Sequence, residues 1–131
     1  MDNEKKPIDY RRDPEDFATR YANNAHFEST VWDMKMTFGQ TDVTQGPNVI
    51  IQHTAVTLPW SYVKIFCYLL QAQIAGQEAE YGHIPVPQKI LSPPLEVLPE
   101  EIAKTVKHPK EQVAAIHKVW KAFVAANPEL G

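Results

Sequence analysis

The sequence predicts an α+β fold: a three- or four-stranded antiparallel sheet covered by one long helix, with a Pro-rich extended linker and a C-terminal helix. Three observations carry this reading. Trp32, Met34, Met36 and Phe38 alternate with Val31, Asp33, Lys35 and Thr37, the period of a strand with one apolar face. Residues 59–81 form an uninterrupted helical stretch, opened by Pro59 and closed by Gly82. Residues 109–126 place Val113, Ile116, Val119, Trp120, Phe123 and Val124 on one face of a second helix, with Asn127-Pro128 as its stop.

Taken in order, residues 1–16 mix both charge signs with two prolines and little to bury, so they are expected to form a disordered head before a single domain over 17–131. Strands are expected within residues 18–58. The first spans Tyr21 to Ser29, with Asn23 and Asn24 marking a bulge or kink, and the second is the alternating stretch that Gly39 ends. The segment GQTDVTQGPN reads as a polar loop leading to a further strand, Val49 to Leu58, paired antiparallel with its predecessor.

The long helix presents two apolar stripes. One runs through Val63, Phe66, Cys67, Leu70, Ile74 and Tyr81, the other through Tyr62, Ile65, Leu69, Ala72 and Gly76. A sheet covers one side of a helix, so the second stripe is expected to meet the C-terminal part of the chain or another subunit. Residues 85–99, PVPQKILSPPLEVLP, are too rich in proline for helix or central strand and should run extended. A short helix over Leu98 to Val106 precedes the last one, giving C-terminal helices over about 99–126.

The 131 residues suit one domain, and 13 basic against 16 acidic side chains leave no field to draw nucleic acid or anionic lipid. The longest apolar run, Ile65 to Leu70, is too short to span a bilayer, and the N-terminus opens on Asp2, Asn3 and Glu4 rather than on a basic, then apolar, leader. With a single cysteine, Cys67, no intramolecular disulfide can form. These features lead to the expectation of a cytoplasmic protein that engages neither membrane nor nucleic acid.

The segments TRYANNAHFEST and DMKMTFGQ, followed by a strand entering a Pro-led helix that closes on AEYGHI, resemble the uncharacterised bacterial and archaeal family known as domain of unknown function 3467. The similarity covers residues ~20–84 through its Y-A-N, F-G and Y-G-x-I motifs. It implies an architecture and carries no activity or catalytic residue. The helix start PWSYV is more aromatic than that pattern, and the Pro-rich segment and terminal helix lie outside it. The order of strands, Pro-started helix, G-x-I-P exit, linker and final helix also resembles, in architecture alone, the SecB-type export chaperones. That likeness implies a tetramer with apolar grooves for unfolded chains.

No constellation for catalysis stands out. The histidines at 26, 53, 83, 108 and 117 are dispersed without metal-ligand spacing, and Glu78 and Glu80 lie two apart on a helix and so face different directions. Cys67 sits on an apolar stripe and is expected to be a small buried hydrophobe, and His53 a half-buried partner of a neighbouring polar group. The five glycines never cluster into a phosphate-gripping loop. Neither cofactor, metal nor catalytic residue is therefore expected.

The candidate binding surface rests on aromatics and the second stripe: Trp32, Trp60, Tyr62, Ile65, Phe66, Tyr68, Leu69, Ala72 and Gly76. They could line a groove or an interface, although most of the aromatics would equally fill the domain's own core. The functional expectation is a non-enzymatic oligomeric binding module, a dimer or tetramer, with a peptide or unfolded chain as possible client. The alternative is a structural or regulatory subunit of a larger complex, and an enzyme with an unrecognised site ranks third.

Overall fold

The computed structural model describes residues 6–130, and its elements bear out the α+β class: a three-stranded antiparallel sheet, a long helix and a C-terminal helix. The chain divides into two compact units, Met1–Gln71 and Ala72–Gly131. The expected disordered head lies partly outside the described residues. Residues 6–16 are exposed and hold no regular element beyond a turn at 14–16, where the Asp13 carboxylate accepts from the amides of Glu15 and Asp16.

In the first unit, β1 (Asn24–Ser29), β2 (Asp33–Thr41) and β3 (Ile50–Pro59) pair in sequence order, with β2 central. The register sorts side chains by chemistry. Phe27, Met36 and Val56 form one row across the three strands, flanked by Ser29, Met34 and Leu58 on one side and Ala25, Phe38 and Thr54 on the other. The opposite face carries His26, Thr37 and Ala55, then Glu28, Lys35 and Thr57, with Lys35 Nζ 3.6 Å from Glu28 Oε2. The alternation in β2 thus produces one apolar and one mostly polar face, as its period requires.

Several boundaries differ from the sequence reading, each for a local reason. Trp32 is not on the strand. The Thr30 hydroxyl accepts from the amides of Trp32 and Asp33, both at 3.1 Å, and donates to the Asp33 carboxylate at 2.8 Å. This closes a four-residue turn that lifts Val31 and Trp32 off the ladder. Gly39 does not end β2, which runs on to Thr41. Here β3 carries one extra residue, since Phe38 faces Thr54 and Gly39 faces Gln52, leaving His53 as the bulge. Gly39 permits it, because no Cβ obstructs the close backbone of Ile51 and Gln52.

The first strand starts at Asn24 rather than Tyr21. Asn23 nevertheless extends the ladder, its amide donating to Gly39 O at 3.0 Å and its Oδ1 accepting from Thr41 N at 3.0 Å. Pro59 ends β3 instead of opening the helix, and α1 spans Trp60–Tyr81. The Trp60 indole donates to Thr30 O at 2.9 Å, tying the first turn of α1 to the β1–β2 turn.

In the second unit α1 leaves through Gly82, whose φ of 95° is open to glycine and strained for other residues. Its amide donates to Glu78 O at 2.8 Å. The linker is extended, apart from a turn at 88–90, as its prolines dictate. The short helix α2 spans Glu100–Ala103, less than the expected Leu98 to Val106, because Pro99 caps it and Thr105 turns its amide and hydroxyl back onto Ile102 O. Helix α3 spans Pro109–Ala126, with Pro109 in its first turn, and a 3-10 turn follows at Pro128–Leu130. The half-buried stripe of α3 is Val113, His117, Trp120 and Val124, rotated from the predicted face because His117 Nε2 donates to Leu95 O of the linker at 3.0 Å.

Little of this is core. Among the described residues Met36 is the buried apolar side chain, and in the second unit the buried residue is Asn127, whose Nδ2 donates to Phe123 O at 2.8 Å.

Candidate apolar interface and polar clusters

The row through Met36 shows how far one chain covers its own sheet. Met36 is 4% exposed in the middle strand, whereas its neighbours Phe27 and Val56 are 55% and 41% exposed on the edge strands. In an antiparallel sheet such cross-strand rows supply the packing, so exposed flanks mark a face closed on one strand and open on two.

Helix α1 has the same character, since none of its residues is buried. Within the first unit Val63 and Phe66 are half-buried, which agrees with the first stripe being the inner one. Trp60, Tyr62, Ile65, Tyr68 and Leu69 are all exposed, Tyr68 most of all at 67%. Ala72 and Gly76 fall in the second unit, both exposed, and a Cβ placed on Gly76 would meet nothing within 4 Å. Cys67, expected to be buried, is exposed because its part of α1 is left uncovered. The aromatics Trp32, Trp60, Tyr62 and Tyr68 are likewise exposed. Trp32 is 83% exposed at the tip of the turn that Thr30 holds.

Two polar clusters accompany these surfaces. In the first unit His53, half-buried at the bulge, bonds through both ring nitrogens: Nε2 donates to Tyr21 O at 2.8 Å, and Nδ1 lies 2.7 Å from the Thr54 hydroxyl. An open cleft of about 670 Å³ lies beside it, lined by Asp16, Arg20, Phe38, His53 and Thr54 among others. With Nε2 donating to a carbonyl, the neutral ring is held as the Nε2–H tautomer and its Nδ1 lone pair accepts from the Thr54 hydroxyl.

In the second unit Glu78 and His83, five residues apart, meet the distant Glu129. His83 Nδ1 is 3.0 Å from Glu78 Oε2, and His83 Nε2 is 2.9 Å from Glu129 Oε1. Each carboxylate also accepts a backbone amide, Ile84 N on Glu78 at 2.8 Å and Val86 N on Glu129 at 2.9 Å. The hydrogen bond that His83 donates to the Glu129 carboxylate raises the His83 pKa above its ordinary value. Glu129 itself is held below the usual carboxylate range, first by the Val86 amide and then by His83. The imidazole lies between the carboxylates, one at each nitrogen, so the three do not converge on a common point as metal ligands would, and among the described residues no such group of three is found. Sequence reasoning missed this cluster. The Glu78–Gly82–His83 spacing at the helix exit was legible, but nothing local pointed to Glu129.

Among the described residues no helix is long and apolar enough to cross a membrane. No family model, curated protein or solved structure matches the chain.

Proposed function

We propose that the protein is an oligomeric, non-enzymatic binding module. Its apolar sheet face and the outer stripe of α1 bury part of their surface against further copies and offer the rest to a peptide or unfolded chain, in the manner of SecB-type chaperones. The observation that carries this reading is the exposed apolar surface around Met36 and along α1. Met36 is 4% exposed, while Phe27 and Val56 beside it are 55% and 41% exposed, and Ile65 and Leu69 on α1 are 51% and 46% exposed. Contiguous exposed apolar surface of this kind is the usual mark of an association surface.

The catalytic alternative has less behind it: the ring nitrogens of His53 and His83 are hydrogen-bonded to neighbouring groups, and Cys67 is exposed on α1. The near balance of charge gives no support to nucleic-acid or membrane binding. A cytoplasmic setting fits a chain with one cysteine.

The client role is tested by diluting a chemically denatured, aggregation-prone protein into buffer with a molar excess of this one. Suppressed light scattering and a stable complex support the role. Aggregation at an unchanged rate, with no complex on size exclusion, rejects it.

The second reading, a structural subunit with one defined partner, draws on Trp32. A tryptophan 83% exposed on a turn fixed by the Thr30 hydroxyl is an ordered anchor of the kind that fills a matching pocket.

A further inference from the structure

We propose that His83, Glu78 and Glu129 form a protonation-dependent latch that fastens the exit of α1 and the start of the linker to the C-terminal turn. Hydrogen-bond inventory makes the argument. A carboxylate only accepts, and a neutral imidazole offers one N–H and one lone pair. His83 nevertheless faces a carboxylate oxygen at each nitrogen, Glu78 at 3.0 Å and Glu129 at 2.9 Å. Both contacts are attractive when the ring carries two hydrogens, as imidazolium. The alternative, a protonated carboxyl, runs against the amides of Ile84 and Val86, which donate to these same oxygens and favour the ionised form.

The cluster is a junction. Glu129 receives His83 Nε2 and Val86 N through its carboxylate, and its backbone carbonyl accepts Gln88 Nε2 at 2.6 Å. Glu78 holds His83 and Ile84 at the point where Gly82 turns the chain out of α1. Among the described residues the charged groups facing the ring are Glu78 from α1 and Glu129 from the terminal turn. Residues 82–88 carry no charge besides His83, and α3 ends at the uncharged, buried Asn127. Loss of one proton leaves a lone pair against a carboxylate oxygen, and that arm of the latch turns from attraction to repulsion.

The direction with pH follows. A folded-state histidine pKa above its ordinary value means that the latch is closed at lower pH and is lost as pH rises through the folded-state pKa. At the acid end, protonation of Glu129 opens the Glu129 arm below that group's depressed pKa.

The test uses the full chain and NMR. Ring carbon-bound protons of His83 are titrated, while exchange protection of the Ile84 and Val86 amides is measured across the same range. A His83 midpoint above 6.5, with protection of Ile84 or Val86, on whichever arm loses its N–H, falling several-fold as that midpoint is crossed, is the expected result. His83→Gln should remove the pH dependence and leave the low protection at every pH. Should that variant fail to fold, Glu129→Gln serves instead, and its His83 midpoint should move down. A midpoint at or below 6.5, or protection of both Ile84 and Val86 that does not change across the titration, overturns the proposal.

Discussion

A Cβ on Gly39 would stand 2.5 Å from the carbonyl oxygen of Ile51, and the backbone of both residues is fixed by the β2–β3 ladder. The bulge at His53 brings the strands this close, so the glycine and the bulge are one feature. Gly39→Ala is therefore expected to destabilise the first unit by about 1–3 kcal/mol, the usual cost of forcing a group into a filled space. Urea unfolding followed by tryptophan fluorescence measures it. Unchanged stability would mean that the two strands do not approach as described.

Thr30 holds the β1–β2 turn through its hydroxyl, and its carbonyl holds the Trp60 indole. Thr30→Val keeps the shape and removes the hydroxyl, leaving the amides of Trp32 and Asp33 to water. A loss of about 1 kcal/mol is expected, since the turn is exposed and water replaces part of what is lost. Trp60→Phe deletes the indole donor and should cost a similar amount, again about 1 kcal/mol.

Stability should vary with pH as a bell. The raised His83 pKa contributes stability below its ordinary value that is lost on the alkaline side as pH rises through the folded-state pKa. The lowered Glu129 pKa contributes stability above its ordinary value that is lost as pH falls through the folded-state pKa. Melting temperature measured across this range is expected to fall at both ends, and His83→Gln should flatten the alkaline limb. An alkaline limb identical in that variant would place the dependence elsewhere.

What the sequence made legible, and what it hid, divides by the range of the interactions. The period of Met34, Met36 and Phe38, the glycine exit at Gly82 and the extended prolines of the linker are local effects, and each appears in the fold. Trp32 was misplaced because a side-chain hydroxyl competed with the ladder for two amides, which periodicity does not register. Cys67 and the aromatics of α1 were assigned partly to a core on the premise that one chain buries its own apolar stripe. The meeting of His83 with Glu129 depends on the path of the whole linker and α3, a separation of 46 residues that no local pattern encodes.

Leu69→Glu probes the outer stripe of α1 directly. Leu69 is 46% exposed, so a carboxylate there faces water once a partner has left. The expected outcome is a smaller species with an unchanged far-ultraviolet circular dichroism spectrum. Loss of fold would instead locate Leu69 in an intramolecular core, where an unpaired carboxylate costs several kcal/mol.

Self-association, proposed from the exposed apolar surface around Met36 and along α1, is checked by multi-angle light scattering on the unmutated protein at tens of micromolar as it elutes from a sizing column. A mass of two or four times the 14.9 kDa chain is the expected result, and a single species at 14.9 kDa would rule self-association out.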